Sequence, residues 1–426
     1  MRDIYKSFHE KKEDIMKGKV LKRMLAVTLS AAMLVSLAGC SSSALKEAQG
    51  ETAEEGAEAN DAADRPLNPE GTKVGVLCSP LSWGEENYRM TEKCIEKFGE
   101  DRIVLNTLPE DADVQTIVSL ASNMANDSEI GALVINEAVP GSIAAADAAK
   151  EADPEMLVIM VNPSEEPPEV SKSADLAVMT VFNELTIAAA EQAKEKNCEV
   201  MVLEVPVDQL GMERAQSRIN ACQEKCDELG IELIVNSLPS ESDANSRPAM
   251  IQAAKEDIYN KLDEYGDNVG FMSFSSFCAT GIFTALCEEG RGYLVGTPDP
   301  GPFGPGFMDA FGITADEEHL LDVDWTNKAI AEALEAKGMS GHFCNWEIPY
   351  FSTMMYGSIA YSLAYLDGTE NTVDMDTWMK YAAESFDLEL GTQLEYFAYE
   401  LDGTTYDNFV MANSPFLWYG EELGAE

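Results

Sequence analysis

The chain has 426 residues, 76 of them Asp or Glu against 29 Lys or Arg, for a net charge of −47. Charge of that sign and size favours solubility and excludes nucleic acid and anionic lipid headgroups as partners, because both select clustered Lys and Arg. The length, with 45% hydrophobic residues, exceeds what one core usually supports, so two lobes are expected.

In chain order, the first informative stretch is Leu37-Ala38-Gly39-Cys40, which closes an apolar run from Met24 behind Lys17, Lys19, Lys22 and Arg23. A basic end, an apolar segment and small residues before a break are the parts of a secretory signal. The run is shorter than the roughly 20 apolar residues of a spanning helix, which favours cleavage. The stretch resembles a bacterial lipoprotein signal, and that resemblance implies a lipid on Cys40 and cleavage before it; an ordinary signal with an incidental cysteine is the alternative. Residues 1–39 are therefore expected to be a lipoprotein signal peptide. Their loss takes eight basic and four acidic residues and leaves a charge near −51. Residues 40–71, rich in Ser, Ala, Glu and Asp, bury too little to order themselves and read as a disordered acidic tether.

From Lys73 short apolar runs alternate with helical patterns. Strands are predicted over 74–77, 103–105, 132–135, 156–161 and 176–179, with helices between them. Ser82 and Glu85 have capping-box spacing, and Asp113 is a candidate cap for the helix carrying Val114, Ile117, Val118 and Ala121. A second set follows: helix 184–196, strand 200–203, helix 209–229, strand 231–235, helix 248–265, strand 269–272, helix 280–288 and strand 293–295. Runs such as 156–161, apolar without alternation, suit parallel strands covered on both faces. The fold class is thus α/β, with two Rossmann-like doubly wound lobes. Thr314 and Glu317 offer a further capping box, and helices are predicted over 329–336 and 352–366. Beyond Asp367 the acidic, aromatic pattern gives no pairing. Eight cysteines besides Cys40 lack any Cys-x-x-Cys spacing and read as mostly buried thiols.

Ligands of open parallel sheets bind beyond the carboxyl ends of the strands. The candidates there are Ser79, Ser82, Trp83, Asn136, Glu137 and Asn162 in the first half. In the second they are Phe182, Asn183, Asp208, Arg214, Ser273, Ser275, Thr297, Asp299, Asn345 and Trp346. Amides, hydroxyls and an Arg bond hydroxyl groups, while Trp packs on C–H faces, so a small sugar, nucleoside or polyol suits this set. Val134-Ile135-Asn136, Val158-Ile159-Met160-Val161-Asn162, the segment from Arg214 to Asn220, Leu294-Val295-Gly296 and Asn345-Trp346-Glu347-Ile348-Pro349-Tyr350 together resemble the type I periplasmic binding proteins, nearest the ribose-type branch. The resemblance covers roughly residues 72 to 368. It implies two lobes joined by a three-stranded hinge, an N-terminal lobe over 72–180 with 347–368 returning to it, and a C-terminal lobe over 181–346 with 369–426 as its extension. It further implies Asn136, Asn162, Asn183, Arg214, Asp299 and Trp346 as ligand contacts, Trp83 stacking on a ring, and an ABC permease as partner at the outer face of the membrane. Ser275 joins this set by its position at a strand end.

Bland readings stand beside these. Asn at a strand end also serves as a turn former, Arg214 as a surface partner of Glu213 or Asp208, and the tryptophans as packing residues. The Gly/Pro loop at 296–304 lacks the lysine and spacing of a phosphate cradle. No Gly-x-Ser-x-Gly or His-Glu-x-x-His occurs, and neither cofactor nor metal is expected. A non-enzymatic solute-binding protein is the reading reached. A carbohydrate hydrolase on a related scaffold and a ligand sensor for a membrane receptor remain the alternatives.

Overall fold

The computed structural model describes residues 69–81, 85–109, 112–136, 141–241, 245–298, 301–401 and 403–421. The signal, Cys40 and the tether to residue 68 lie outside them, as do Ser82, Trp83, Glu137 and Asp299. The first half runs β1 (Lys73–Cys78), α1 (Glu86–Phe98), β2 (Ile103–Thr107), α2 (Val114–Ala125), β3 (Ile130–Asn136), α3 (Ser142–Ala152), β4 (Leu157–Val161), α4 (Pro167–Ser173) and β5 (Leu176–Thr180). The second runs α5 (Asn183–Glu195), β6 (Val200–Pro206), α6 (Glu213–Leu229), β7 (Glu232–Leu238), α7 (Arg247–Tyr265), β8 (Val269–Ser273), α8 (Ala279–Glu289), β9 (Tyr293–Gly296), α9 (Pro305–Phe311), α10 (Val323–Ala336) and β10 (Cys344–Trp346). The chain ends with α11 (Tyr350–Leu366), α12 (Met375–Ala383), β11 (Glu395–Leu401), β12 (Thr404–Asn413) and β13 (Phe416–Trp418). Among the described residues no helix is long and apolar enough to cross a membrane.

The apolar runs become parallel strands. Every residue of β3 and β4 is buried, because α1 and α11 cover one face of their sheet and α2 and α3 the other. The first sheet has the order β11-β12-β5-β4-β3-β1-β2, and the second β7-β6-β8-β9. In both, the first strand lies inside, its successor pairs on one side and the next strand on the other. The strand order therefore reverses between β1 and β3, and again between β6 and β8, and each reversal opens a crevice at the carboxyl ends. Asp113 caps α2 as its position suggests, accepting the Thr116 N–H at 2.8 Å.

Three expectations change. Helix α1 starts at Glu86 with Glu85 as its cap position and no side-chain cap bond, so Glu85 is not the third residue of a capping box. No helix follows Thr314; Asp322 instead caps α10 by accepting from Trp325 N–H at 2.9 Å, since apolar periodicity resumes only there. The segment beyond 368 is not an extension of the C-terminal lobe alone. Helix α12 packs on α11, and Phe409, Val410, Met411 and Ala412 of β12 pair in parallel with β5. That apolar run covers the open edge of the first sheet. Strand β11 then forms the new edge, where Glu395 and Glu400 discourage further pairing. Only β13 goes back to the second lobe, antiparallel to β10.

Within the second sheet, Glu204 of β6 is fully buried. Asn236 Nδ2 donates to its Oε2 at 2.8 Å, while Oε1 has no hydrogen-bond partner among the described residues, nor has Asp257 Oδ2. Burial first, and then the neighbouring Asp257 carboxylate, push the Glu204 carboxyl well above the ordinary carboxylate range. A raised folded-state pKa adds stability that is full below the unfolded value and is lost as pH rises from there through the folded one. Glu204→Gln, which keeps the acceptor for Asn236 and can donate to Asp257, is expected to raise stability at pH 8 by on the order of 1 kcal/mol and to flatten its fall between pH 5 and 8. Urea unfolding at the two pH values checks this; an unchanged pH slope would contradict it.

Candidate ligand-binding site

The strand ends bring the candidates to two places. At the mouth of the first lobe, Asn136 closes β3 with no exposed surface. Its Oδ1 accepts from Ser79 Oγ at 3.4 Å, and its Nδ2 has no partner among the described residues. Asn162, half-buried after β4, takes a left-handed backbone with φ 55°, which Asn tolerates better than most residues. Between these strands, Glu165 accepts the N–H groups of Gly141 and Ile143 at 3.0 and 2.8 Å. A carboxylate thus holds the start of α3 and the loop leaving β3.

Asn183 and Arg214 meet elsewhere, in a cavity of about 700 Å³ beside the passage from β5 to α5. Glu166 of the first lobe, Phe182 and Tyr399 of β11 share its lining. The Arg214 guanidinium lies 5.1 Å from the Phe182 ring centre. Asn183 Nδ2 donates to Ser217 Oγ at 3.0 Å, and its buried Oδ1 is unpartnered. Burial lowers the Arg214 pKa, and Glu166 then works in the opposite direction. Neither Asn136 nor Asn162 lines this cavity.

The mouth of the second lobe is built on the loop after β8. Ser275, 3% exposed, ties that loop together: its Oγ accepts Phe277 N–H at 3.3 Å and its carbonyl accepts Ser273 Oγ at 2.8 Å. Its side chain thus holds the turn and presents Phe277. From the β6 side, Gln209 Nε2 donates to the Phe274 carbonyl at 3.3 Å and to the Glu241 carboxylate. Asp208 accepts Ser240 Oγ at 2.8 Å and Glu241 N–H at 3.3 Å, and among the described residues no salt bridge joins it to Arg214.

Two residues that the sequence reading missed complete this mouth. Arg218 of α6 stacks its guanidinium 3.9 Å from the Phe274 ring centre, and Arg247 of α7 lies 3.6 Å from that of Phe277. Nε and Nη2 of Arg218 and Nε of Arg247 are buried without a hydrogen-bond partner among the described residues. Burial, then the cation of Arg214 one turn earlier, push the Arg218 pKa down to about 9, which leaves it charged at neutral pH. Stacking on an aromatic ring returns about 0.5–2 kcal/mol, less than the several kcal/mol lost by withdrawing an ion from water. A usable signal was present in the sequence. Arg247 opens a helix, where the macrodipole disfavours a cation, and Arg218 repeats Arg214 at i+4 in a chain short of bases.

Trp346 belongs to the joint between the lobes. It is 1% exposed, edge-on to Tyr350 at 5.0 Å and tilted against Phe416 at 5.5 Å. Its ring is therefore covered by the joint in this conformation. Asn345 beside it accepts Thr297 Oγ1 at 3.2 Å and Trp346 N–H at 2.8 Å, and donates to the Gly301 carbonyl. Gly301, at φ 94°, packs so closely that a Cβ there would sit 2.4 Å from Pro349 Cα. Gly301 is thus a close-packed brace for the joint.

The family model described as "Protein of unknown function (DUF3798)" matches residues 72–344, and the chain belongs to that family. No curated protein sequence matches it. Among solved structures, a protein of Clostridium difficile 630 proposed as a transcriptional regulator is 20% identical, with 83% of this chain and 100% of that one covered and a TM-score of 0.69. A periplasmic ribose ABC transporter protein of Conexibacter woesei is 14% identical, with 72% and 89% covered and a TM-score of 0.48. A periplasmic solute-binding protein of Actinobacillus succinogenes 130z, solved with bound D-allose, is 13% identical, with 70% and 93% covered and a TM-score of 0.47. At these identities the likeness is one of fold. With its two doubly wound sheets and the chain passing three times between them, the protein has the type I periplasmic-binding-protein fold.

Asn345→Ala removes three hydrogen bonds at a fully buried position and is expected to cost about 2–4 kcal/mol. Urea unfolding measures it, and a loss below about 0.5 kcal/mol would contradict the role given to Asn345.

Proposed function

We propose that this member of the family is a solute-binding protein, lipid-anchored through Cys40 at the outer face of the membrane, that captures a small polar ligand between its lobes and delivers it to an ABC importer. The observation that carries this reading is the presence, at the strand ends of both lobes, of buried donors without a hydrogen-bond partner among the described residues: Asn136 Nδ2 in the first, Arg218 Nε and Nη2 in the second. Unpaired buried donors are costly in a folded protein, and a hydroxyl-bearing ligand entering between the lobes would satisfy them. Capture and release then need no covalent chemistry. Ligand binding biases an existing equilibrium between open and closed arrangements, and a few residues of the three passages absorb the backbone change.

Retention by a lipid suits such a role, because a captured solute must be handed over close to a permease. The strong negative charge argues against a DNA-binding role for this chain, since binding to DNA is driven by basic side chains.

A thermal-shift screen over sugars, nucleosides and polyols is expected to find a ligand that is bound and recovered unchanged; a consumed ligand would favour the hydrolase. With that ligand, Arg218→Ala and Asn162→Gly, the latter chosen because glycine keeps the left-handed backbone, are each expected to weaken binding about tenfold with the melting temperature retained. Unchanged calorimetric affinity in both variants would remove these residues from the site.

A further inference from the structure

Six arginines fall within the described residues. Arg89, Arg102 and Arg291 each pair with carboxylates at 2.7–2.8 Å. The other three, Arg214, Arg218 and Arg247, lie on the rings of Phe182, Phe274 and Phe277, and none has a carboxylate within salt-bridge distance among the described residues. In a chain with 76 acidic side chains, three arginines without an ion pair, all on one lobe, need an explanation. Two carboxylates on the β6 side of that mouth are already engaged, Asp208 with Ser240 and the Glu241 N–H and Glu241 with Gln209, while Glu166 shares the Arg214 cavity without reaching salt-bridge distance.

Position adds to this. Arg218 and Arg247 stack on two rings of a single loop, the one leaving β8, at the reversal of strand order where Gln209 reaches across from β6. Arg214 and Arg247 stand in the first turns of α6 and α7, whose N-terminal dipoles add positive potential. The buried, unpartnered Nε and Nη2 of Arg218 present the planar fork that receives two oxygens of one anionic group. Neutral hydroxyls would satisfy the donors and leave the charge uncompensated.

Resting on the solute-capture reading above, we infer that the ligand is an anionic small molecule, a polyol or sugar bearing a carboxylate or phosphate, whose anionic group is held by Arg218 with Arg247 in support. The Phe274 and Phe277 rings hold the guanidinium groups in place before the ligand arrives.

Calorimetry on the intact mature chain with matched pairs tests this: galactose against galacturonate, glycerol against glycerol 3-phosphate, uridine against uridine 5′-monophosphate, at low and physiological ionic strength. The expected result is that the anionic member of at least one pair binds tenfold or more tighter than its neutral partner, and that Arg218→Gln lowers its affinity about 10- to 100-fold, closing most of that gap. If neutral members bind as well as or better than anionic ones in the native protein, the anion assignment is overturned while solute capture stands. An anion preference that survives Arg218→Gln in a folded variant removes Arg218 as its receptor. Absence of binding by either member of every pair counts against solute capture itself.

Discussion

The two-lobed arrangement depends on the joint at which three passes of backbone lie side by side. Val181 N–H donates to the Ala412 carbonyl at 3.1 Å, and Glu347 N–H to that of Pro415 at 2.9 Å. The passages after β5, after β10 and after β12 are thereby bound to one another by main chain. Such a strip resists stretching yet tolerates small changes of φ and ψ, which is what a hinge requires. The third pass comes from the acidic end of the chain, so that segment is part of the joint as well as the edge of the first sheet. Asn345 and Gly301 brace it from the second lobe, with Gly301 against Pro349 at the start of α11.

Electrostatics sets the second constraint. A chain with so many carboxylates readily pairs its bases, and it does so for the half-buried Arg89, Arg102 and Arg291. Leaving Arg214, Arg218 and Arg247 on aromatic rings keeps their charge in place without an ion pair among the described residues. The same lobe holds the reverse case in Glu204, whose carboxyl favours its neutral form beside Asp257. The lobe therefore has one buried carboxyl in its sheet and, at its strand ends, a basic mouth.

Much of this was legible in the sequence for reasons that can be named. Continuous apolar runs at 132–135 and 156–161 report burial on both faces, and Asp113 ahead of an apolar helical repeat reports a cap. Thr314 and Glu317 mimic a cap because spacing alone does not require an apolar repeat to follow. The edge strand β11 sets Tyr396, Phe397 and Tyr399 between Glu395 and Glu400, a pattern that names no pairing partner, so its place in the first sheet was not legible. Asn136, Asn183 and Arg214 looked equivalent because each follows a strand. Which strand ends share a crevice depends on sheet order, and that order separates Asn136 from the chamber holding the other two. Arg218 was passed over because a helical arginine without its aromatic neighbour looks like any surface base.

The central claim is that the lobes close on a small solute by bending at this joint. Small-angle X-ray scattering of the mature, unlipidated chain, with and without a ligand at calorimetrically verified saturation, tests it most directly. The account predicts a smaller radius of gyration in the bound state. Superimposable curves at full occupancy would contradict it.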